Sequence, residues 1–65
     1  MKVKDILKNI EDKKLYIEFI DLKSGASYGI FTKNDLIYND KFNNDKIKKI
    51  NFQYISTKRI MLIYI

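Results

Sequence analysis

Few residues in this chain have the chemistry of a catalyst. The sequence contains no His and no Cys, so the commonest general base and the thiol nucleophile are both missing. Ser24, Ser27 and Ser56 stand in no nucleophile motif, and the only glycines, Gly25 and Gly29, do not form a phosphate-binding loop. The sequence therefore predicts a protein that is not an enzyme and that binds no cofactor.

One segment groups side-chain oxygens of the kind that bind calcium. Asp40, Asn43, Asn44 and Asp45 lie within six positions of one another. They lack the ligand spacing, the central glycine and the bidentate Glu of a helix–loop–helix calcium site. Because His and Cys are absent as well, we predict no metal site.

Basic residues form the second chemical feature. The net charge is +5, and residues 47–65 carry four cations and no acid. Cations beside aromatic rings on a sheet bind single-stranded nucleic acid in several proteins. The candidate residues are Lys41, Lys46, Lys48, Lys49, Lys58 and Arg59. Only one of them is Arg, which favours sequence-independent binding. Alternatively, A/T-rich codons explain the abundance of Lys, Asn and Ile without any polyanionic partner.

Length and hydropathy predict the class of protein. A chain of 65 residues corresponds to one domain, residues 1–65, of marginal stability. The longest apolar run, residues 60–65, is far shorter than the ~20 residues of a membrane helix. No segment resembles a signal peptide. We therefore expect a soluble, cytoplasmic protein that does not enter a membrane.

The first half of the chain predicts a helix and a hairpin. Apolar residues at Val3, Ile6, Leu7 and Ile10 have helical spacing, so residues 1–10 should form an amphipathic helix. Residues 14–21 alternate between apolar and polar side chains, as strands do, and residues 26–32 return after a turn at Gly25.

The second half predicts a crossover and a second hairpin. Thr32 and Asp35 resemble a helix-capping pair, which places a helical turn at residues 35–38. Residues 47–56 alternate again, and residues 60–65 contain no polar side chain except the Tyr64 hydroxyl. A turn at Thr57-Lys58 would place Phe52 opposite Ile63.

These elements predict an α+β fold in which the N-terminal helix packs on a four-stranded antiparallel sheet. Two β-hairpins joined by a short helical or irregular crossover form the sheet. The apolar terminal strand should be central, since an edge position would expose it to aggregation, and the strand order is then 2-1-4-3. The alternative is a sequential meander whose terminal edge strand is completed by a partner chain. The predicted core is Ile6, Leu7, Ile10, Leu15, Ile17, Phe19, Ile50, Phe52, Tyr54, Met61 and Ile63.

The sheet face opposite the helix is the predicted site of partner binding. In the 2-1-4-3 order it would carry an apolar stripe of Tyr16, Ile20, Ile60, Leu62 and Tyr64. Residues 33–46 either cover this stripe with Leu36, Ile37 and Phe42 or leave it open. An open stripe would be the interface for a second copy, giving a homodimer, or for another protein. The two tyrosines would then be the aromatic anchors.

The chain resembles a group of very small phage and mobile-element proteins of low-GC Gram-positive bacteria. The matching features are the opening Met1-Lys2-Val3-Lys4-Asp5-Ile6-Leu7, the strand and turn of residues 17–25, and the closing apolar strand. The resemblance spans most of the chain but assigns no functional residue. It implies a protein-interaction module that binds, and inhibits, a host factor or a defence protein.

Overall fold

The computed structural model describes residues 1–12, 14–38 and 41–65, with the side chains of residues 37 and 38 left out. Two short helices and four strands confirm the α+β class. In chain order they are α1 (Val3–Leu7), β1 (Tyr16–Ile20), β2 (Ser27–Thr32), α2 (Lys33–Tyr38), β3 (Lys49–Ile55) and β4 (Lys58–Tyr64). Neither helix in the described part of the chain is long enough to cross a membrane.

The four strands form one sheet in the order β2-β1-β4-β3, as predicted. The prediction of an entirely antiparallel sheet is wrong, because β1 and β4 pair in parallel. The connection between the hairpins explains the difference. β2 ends at Thr32, which is opposite Tyr16, whereas β3 begins at Lys49, which is opposite Tyr64 at the other end of the sheet. Thr32 and Lys49 therefore lie at opposite ends of the sheet, and β3 runs in the same direction as β2.

The turn between β3 and β4 lies one residue earlier than predicted. Ile55 pairs with Lys58 across a turn at Ser56 and Thr57, so Phe52 is opposite Met61 rather than Ile63. The error shifts the register by two residues. Since side chains alternate with a period of two, every residue of the hairpin still points to its predicted face.

Ser56 supplies the unusual backbone geometry that this turn needs. Its φ is 58°, and among the described residues it is the only one other than glycine with a positive φ. A side chain in that region costs roughly 1–2 kcal/mol, whereas glycine adopts it freely. We expect Ser56→Gly to stabilise the protein by about 0.5–1 kcal/mol in urea unfolding. Thr57→Gly is the matched control and should be destabilising, because Thr57 has an ordinary φ; equal effects of the two changes would contradict this account.

Helix α1 is shorter than the predicted helix over residues 1–10. The N–H groups of Val3 and Lys4 donate to the carbonyls of Asp45 (3.0 Å) and Asn43 (3.1 Å), which fixes the start of the helix against the crossover. At the other end the Asn9 side-chain amide donates to the Asp5 carbonyl (3.2 Å) and ends it. Val3 is fully buried, and the predicted apolar residues that follow it pack partly buried around the core.

Helix α2 begins with the predicted cap. The N–H of Thr32 donates to the Asp35 carboxylate (2.9 Å), and the N–H of Asp35 donates to the Thr32 hydroxyl (3.3 Å). These reciprocal bonds satisfy two amide groups at the helix start. The helix places Leu36, 1% exposed, in the same core as Val3 and Ile17.

The core therefore lies between both helices and a single face of the sheet, which we call the covered face. Leu15, Ile17, Phe19, Met61 and Ile63 are buried there as predicted. Ile50, like the three predicted core residues of the N-terminal segment, is partly buried. Two predicted core residues are exposed instead, Phe52 at 60% and Tyr54 at 72%. Both lie on β3, at the edge of the sheet, where the short helices do not bury them. Val3, Leu36 and Phe42 complete the core in their place.

Candidate functional site

The opposite face of the sheet, the open face, carries the predicted apolar stripe. Tyr16 is in register with Ile60, and Ile20 with Tyr64, on the adjacent strands β1 and β4. Ile60 and Leu62 are buried (7% and 6% exposed), yet neither belongs to the core cluster of the covered face. The three other members of the stripe are half-buried.

Of the three residues predicted to cover this face, the two whose side chains the structure describes do not do so. Leu36 and Phe42 pack with Phe19 on the covered face instead, and the side chain of Ile37 lies outside the described part of the chain. Ile60 and Leu62 are nevertheless only 7% and 6% exposed, so most of the accessible apolar area of the stripe belongs to Tyr16, Ile20 and Tyr64.

Two lysines extend the stripe at its two ends. The Lys58 ammonium lies 5.3 Å from the centre of the Tyr16 ring, and the Lys49 ammonium lies 5.4 Å from that of Tyr64. Both distances are within the range of a cation–π contact. The sequence assigned the tyrosines to a protein interface and the lysines to nucleic-acid binding, but the structure places them together.

Further residues border the stripe. Ile30 is opposite Glu18, and Ile55 is opposite Lys58, so both exposed isoleucines point to the open face. Neither was among the predicted site residues, although Ile55 lies on its predicted face; the face of Ile30 depended on the register of the first hairpin. Glu18, the acid of this face, accepts a hydrogen bond from the Ser27 hydroxyl at 2.6 Å. The result is an apolar centre with polar and cationic margins.

The remaining predicted basic residues lie elsewhere. Lys41, Lys46 and Lys48 line a cleft of about 370 Å³ together with Tyr28 and Phe42. Two acids, Asp21 and Asp45, also line this cleft. A hydrogen bond from the Ser24 hydroxyl, assisted by the charge of Lys48, lowers the pKa of Asp21. The carboxylates therefore offset much of the positive charge in the cleft.

Arg59 lies at the other end of the sheet. It lines a second cleft of about 560 Å³ with Lys14, Lys58 and Tyr16. Its guanidinium donates to the Asp12 carboxylate at 3.2 Å, with both side chains about half exposed. An exposed pair of this kind contributes about 0–1 kcal/mol and partly neutralises the cation. The six predicted basic residues thus form no single patch, since Lys49 and Lys58 occupy opposite ends of the second hairpin.

The side chains of the open face are of types that are suited to binding. This face combines a screened aliphatic centre, two half-buried tyrosines and two cations, a mixture that suits a partially desolvated contact. Asp40, one member of the oxygen-rich segment, lies outside the described residues, and no group of three or more carboxylates suited to a metal occurs among those described. Comparisons with protein-family models, with curated proteins and with solved structures found no match.

Proposed function

We propose that this protein is a small non-enzymatic interaction module that binds another protein through the open face. Tyr16 and Tyr64 are its aromatic anchors. Ile20, Ile60 and Leu62 form its apolar centre, in which Ile60 and Leu62 are the buried support and Ile20 is the accessible residue. The resemblance to phage and mobile-element proteins makes a host or defence protein the natural target and inhibition the natural outcome.

The observation that carries this proposal is the one-sided position of the helices. Both helices pack on the covered face, which leaves Tyr16, Ile20 and Tyr64 half-buried on the other face. Apolar surfaces of this kind on small proteins often mark contact sites. The cations Lys49 and Lys58 at the two ends favour a partner with an apolar patch flanked by carboxylates.

Binding should depend on the two tyrosines. The wild-type chain is first used to capture its partner from its native cell, and binding of the purified partner is then measured by calorimetry. We expect the double variant Tyr16→Ala/Tyr64→Ala to lose this binding. Aromatic anchors contribute about 2 kcal/mol or more each, so affinity should fall about 30-fold for one anchor and on the order of 1,000-fold for both. Circular dichroism would confirm that the variant remains folded.

Tyr28→Ala is the matched control, because Tyr28 is a half-exposed tyrosine that packs against Phe42 rather than in the stripe. It should bind with wild-type affinity. If the control and the double variant lose the partner equally, the open face is not the interface.

Single-stranded nucleic acid is the second candidate ligand, favoured by the Lys58–Tyr16 and Lys49–Tyr64 contacts. Bases stacking on these rings would place phosphates near the cations. Titration with single-stranded DNA and RNA at two salt concentrations tests this, with an expected slope of about −0.7 per neutralised phosphate. Lys49→Ala/Lys58→Ala should reduce that slope, whereas Lys8→Ala, just after α1, should not. Absence of binding at low salt would remove this candidate.

A further inference from the structure

We infer that two copies of this chain associate edge to edge through β3, in an antiparallel arrangement centred on Phe52, to form a continuous eight-stranded sheet. The inference does not depend on the proposed function, because β3 contributes no anchor to the stripe. It rests on the backbone, side chains and charge of the Lys49–Ile55 strand.

The outer edge of β3 has unpaired hydrogen-bonding groups. β3 pairs with β4 alone, and among the described residues no other segment bonds to its backbone. The two-residue turn makes Ile55 and Lys58 a mutually hydrogen-bonded pair. Along an antiparallel strand, residues whose backbone groups bond to the neighbouring strand alternate with residues whose groups point away from it. Counting from Ile55, the N–H and C=O groups of Ile50, Phe52 and Tyr54 therefore point away from β4. These groups are a template for another strand.

The side chains of β3 are self-complementary about Phe52, the middle residue of the strand. When Phe52 pairs with Phe52 of the second copy in an antiparallel arrangement, the whole of β3 takes part. The three residues whose backbone groups point away from β4 then all pair with the second copy. This pairing places each Tyr54 opposite Ile50 of the partner copy, on the same side as the two Phe52 rings. Phe52 and Tyr54 are the exposed aromatic residues of this edge. Asn51 faces Gln53 of the partner copy on the other side, where the amides can bond.

The charge distribution favours this antiparallel arrangement. Residues 50–55 contain no charged side chain, and the cations Lys48 and Lys49 lie at one end. In the antiparallel pair the two copies of Lys49 are six residues apart, or about 20 Å, which exceeds the screening length of about 8 Å at physiological salt. A parallel pair would place the same lysines side by side.

The opposite edge of the sheet is protected. The register of β2 shifts between Phe19 and Ile20, and Gly29 adopts a φ of 121° within the strand. A bulge of this kind interrupts the flat hydrogen-bonding edge that a further strand requires. Because only β3 offers a regular edge and the contact is symmetric, association ends at the dimer.

Sedimentation over a range of concentrations tests the inference. The wild-type mass should rise from 7.8 kDa toward twice that value. Phe52→Lys should remain a folded monomer, because it places two cations against each other at the symmetry axis while the residue itself is exposed. Asn51→Lys is the matched control and should still dimerise, because its added charge faces Gln53 of the partner copy.

Mixing Phe52→Lys with Phe52→Glu tests the register itself. An equimolar mixture should recover the dimer mass, since opposite charges then meet at the axis, whereas each variant alone stays monomeric. A wild-type chain that is monomeric at ~1 mM would overturn the inference. A mixture that fails to associate, or an Asn51→Lys variant as monomeric as Phe52→Lys, would overturn the pairing centred on Phe52.

Discussion

Ile63→Ala should remove most of the stability of this protein. Ile63 is fully buried on the central strand β4, opposite Ile50 and in register with Phe19. Truncation of a buried isoleucine costs about 2–5 kcal/mol, because the cavity cannot fully collapse. A chain of this size is expected to have a total stability of about 3–10 kcal/mol. Urea unfolding, followed by circular dichroism, should show the midpoint fall steeply or the transition disappear.

Ile30→Ala is the matched control for this change. Ile30 is also a strand isoleucine, but it is 52% exposed on β2. Its truncation should alter the free energy of unfolding by no more than about 0.5 kcal/mol. If Ile63→Ala melted within a degree or two of wild type, the central position of β4 would be wrong.

Phe42→Ala should have an effect of similar size. The Phe42 ring stacks on Phe19 with 4.3 Å between ring centres and lies at a tilt 5.8 Å from Phe31. It joins the crossover to the covered face and is 4% exposed. Loss of a buried phenylalanine costs about 3–5 kcal/mol. Thermal unfolding should show a loss of tens of degrees, or no cooperative transition at all.

Phe52→Ala distinguishes the position of Phe52 in the structure from the position that the sequence predicted. The sequence placed Phe52 in the core, whereas the structure leaves it mostly exposed on β3. At low micromolar concentration, where association does not contribute, this variant should unfold close to wild type. A loss for Phe52→Ala as large as that for Phe42→Ala would show that β3 is covered by the helices after all.

The two binding surfaces use different parts of one sheet. The stripe lies on the central strands β1 and β4, whereas the proposed self-association uses the outer edge of β3. A dimer of this kind would extend the open face across eight strands and place two stripes on it. Variants of Tyr16 or Tyr64 should therefore leave the oligomeric mass unchanged. Phe52→Lys should weaken multivalent binding without altering the affinity of one stripe for its partner.

The sequence by itself determined the elements and the faces of most side chains. The alternation in residues 47–56, the apolar run in residues 60–65 and the Thr32–Asp35 cap are local patterns, and local patterns specify strands, helix starts and side-chain parity. The central position of β4 also followed from sequence, because an uncharged apolar strand is unfavourable at an edge. The stripe of Tyr16, Ile60 and Leu62 followed from these two results.

Only the tertiary structure decided strand direction, helix placement and edge exposure. The parallel pairing of β1 with β4 depends on the end of the sheet at which β3 begins. The composition of residues 33–48 does not predict that position. Both sides of the sheet offered apolar residues to Leu36 and Phe42, and the local sequence pattern did not distinguish the two sides. Phe52 and Tyr54 have the pattern of core residues, but they are exposed because two helices of five and six residues are too small to cover four strands.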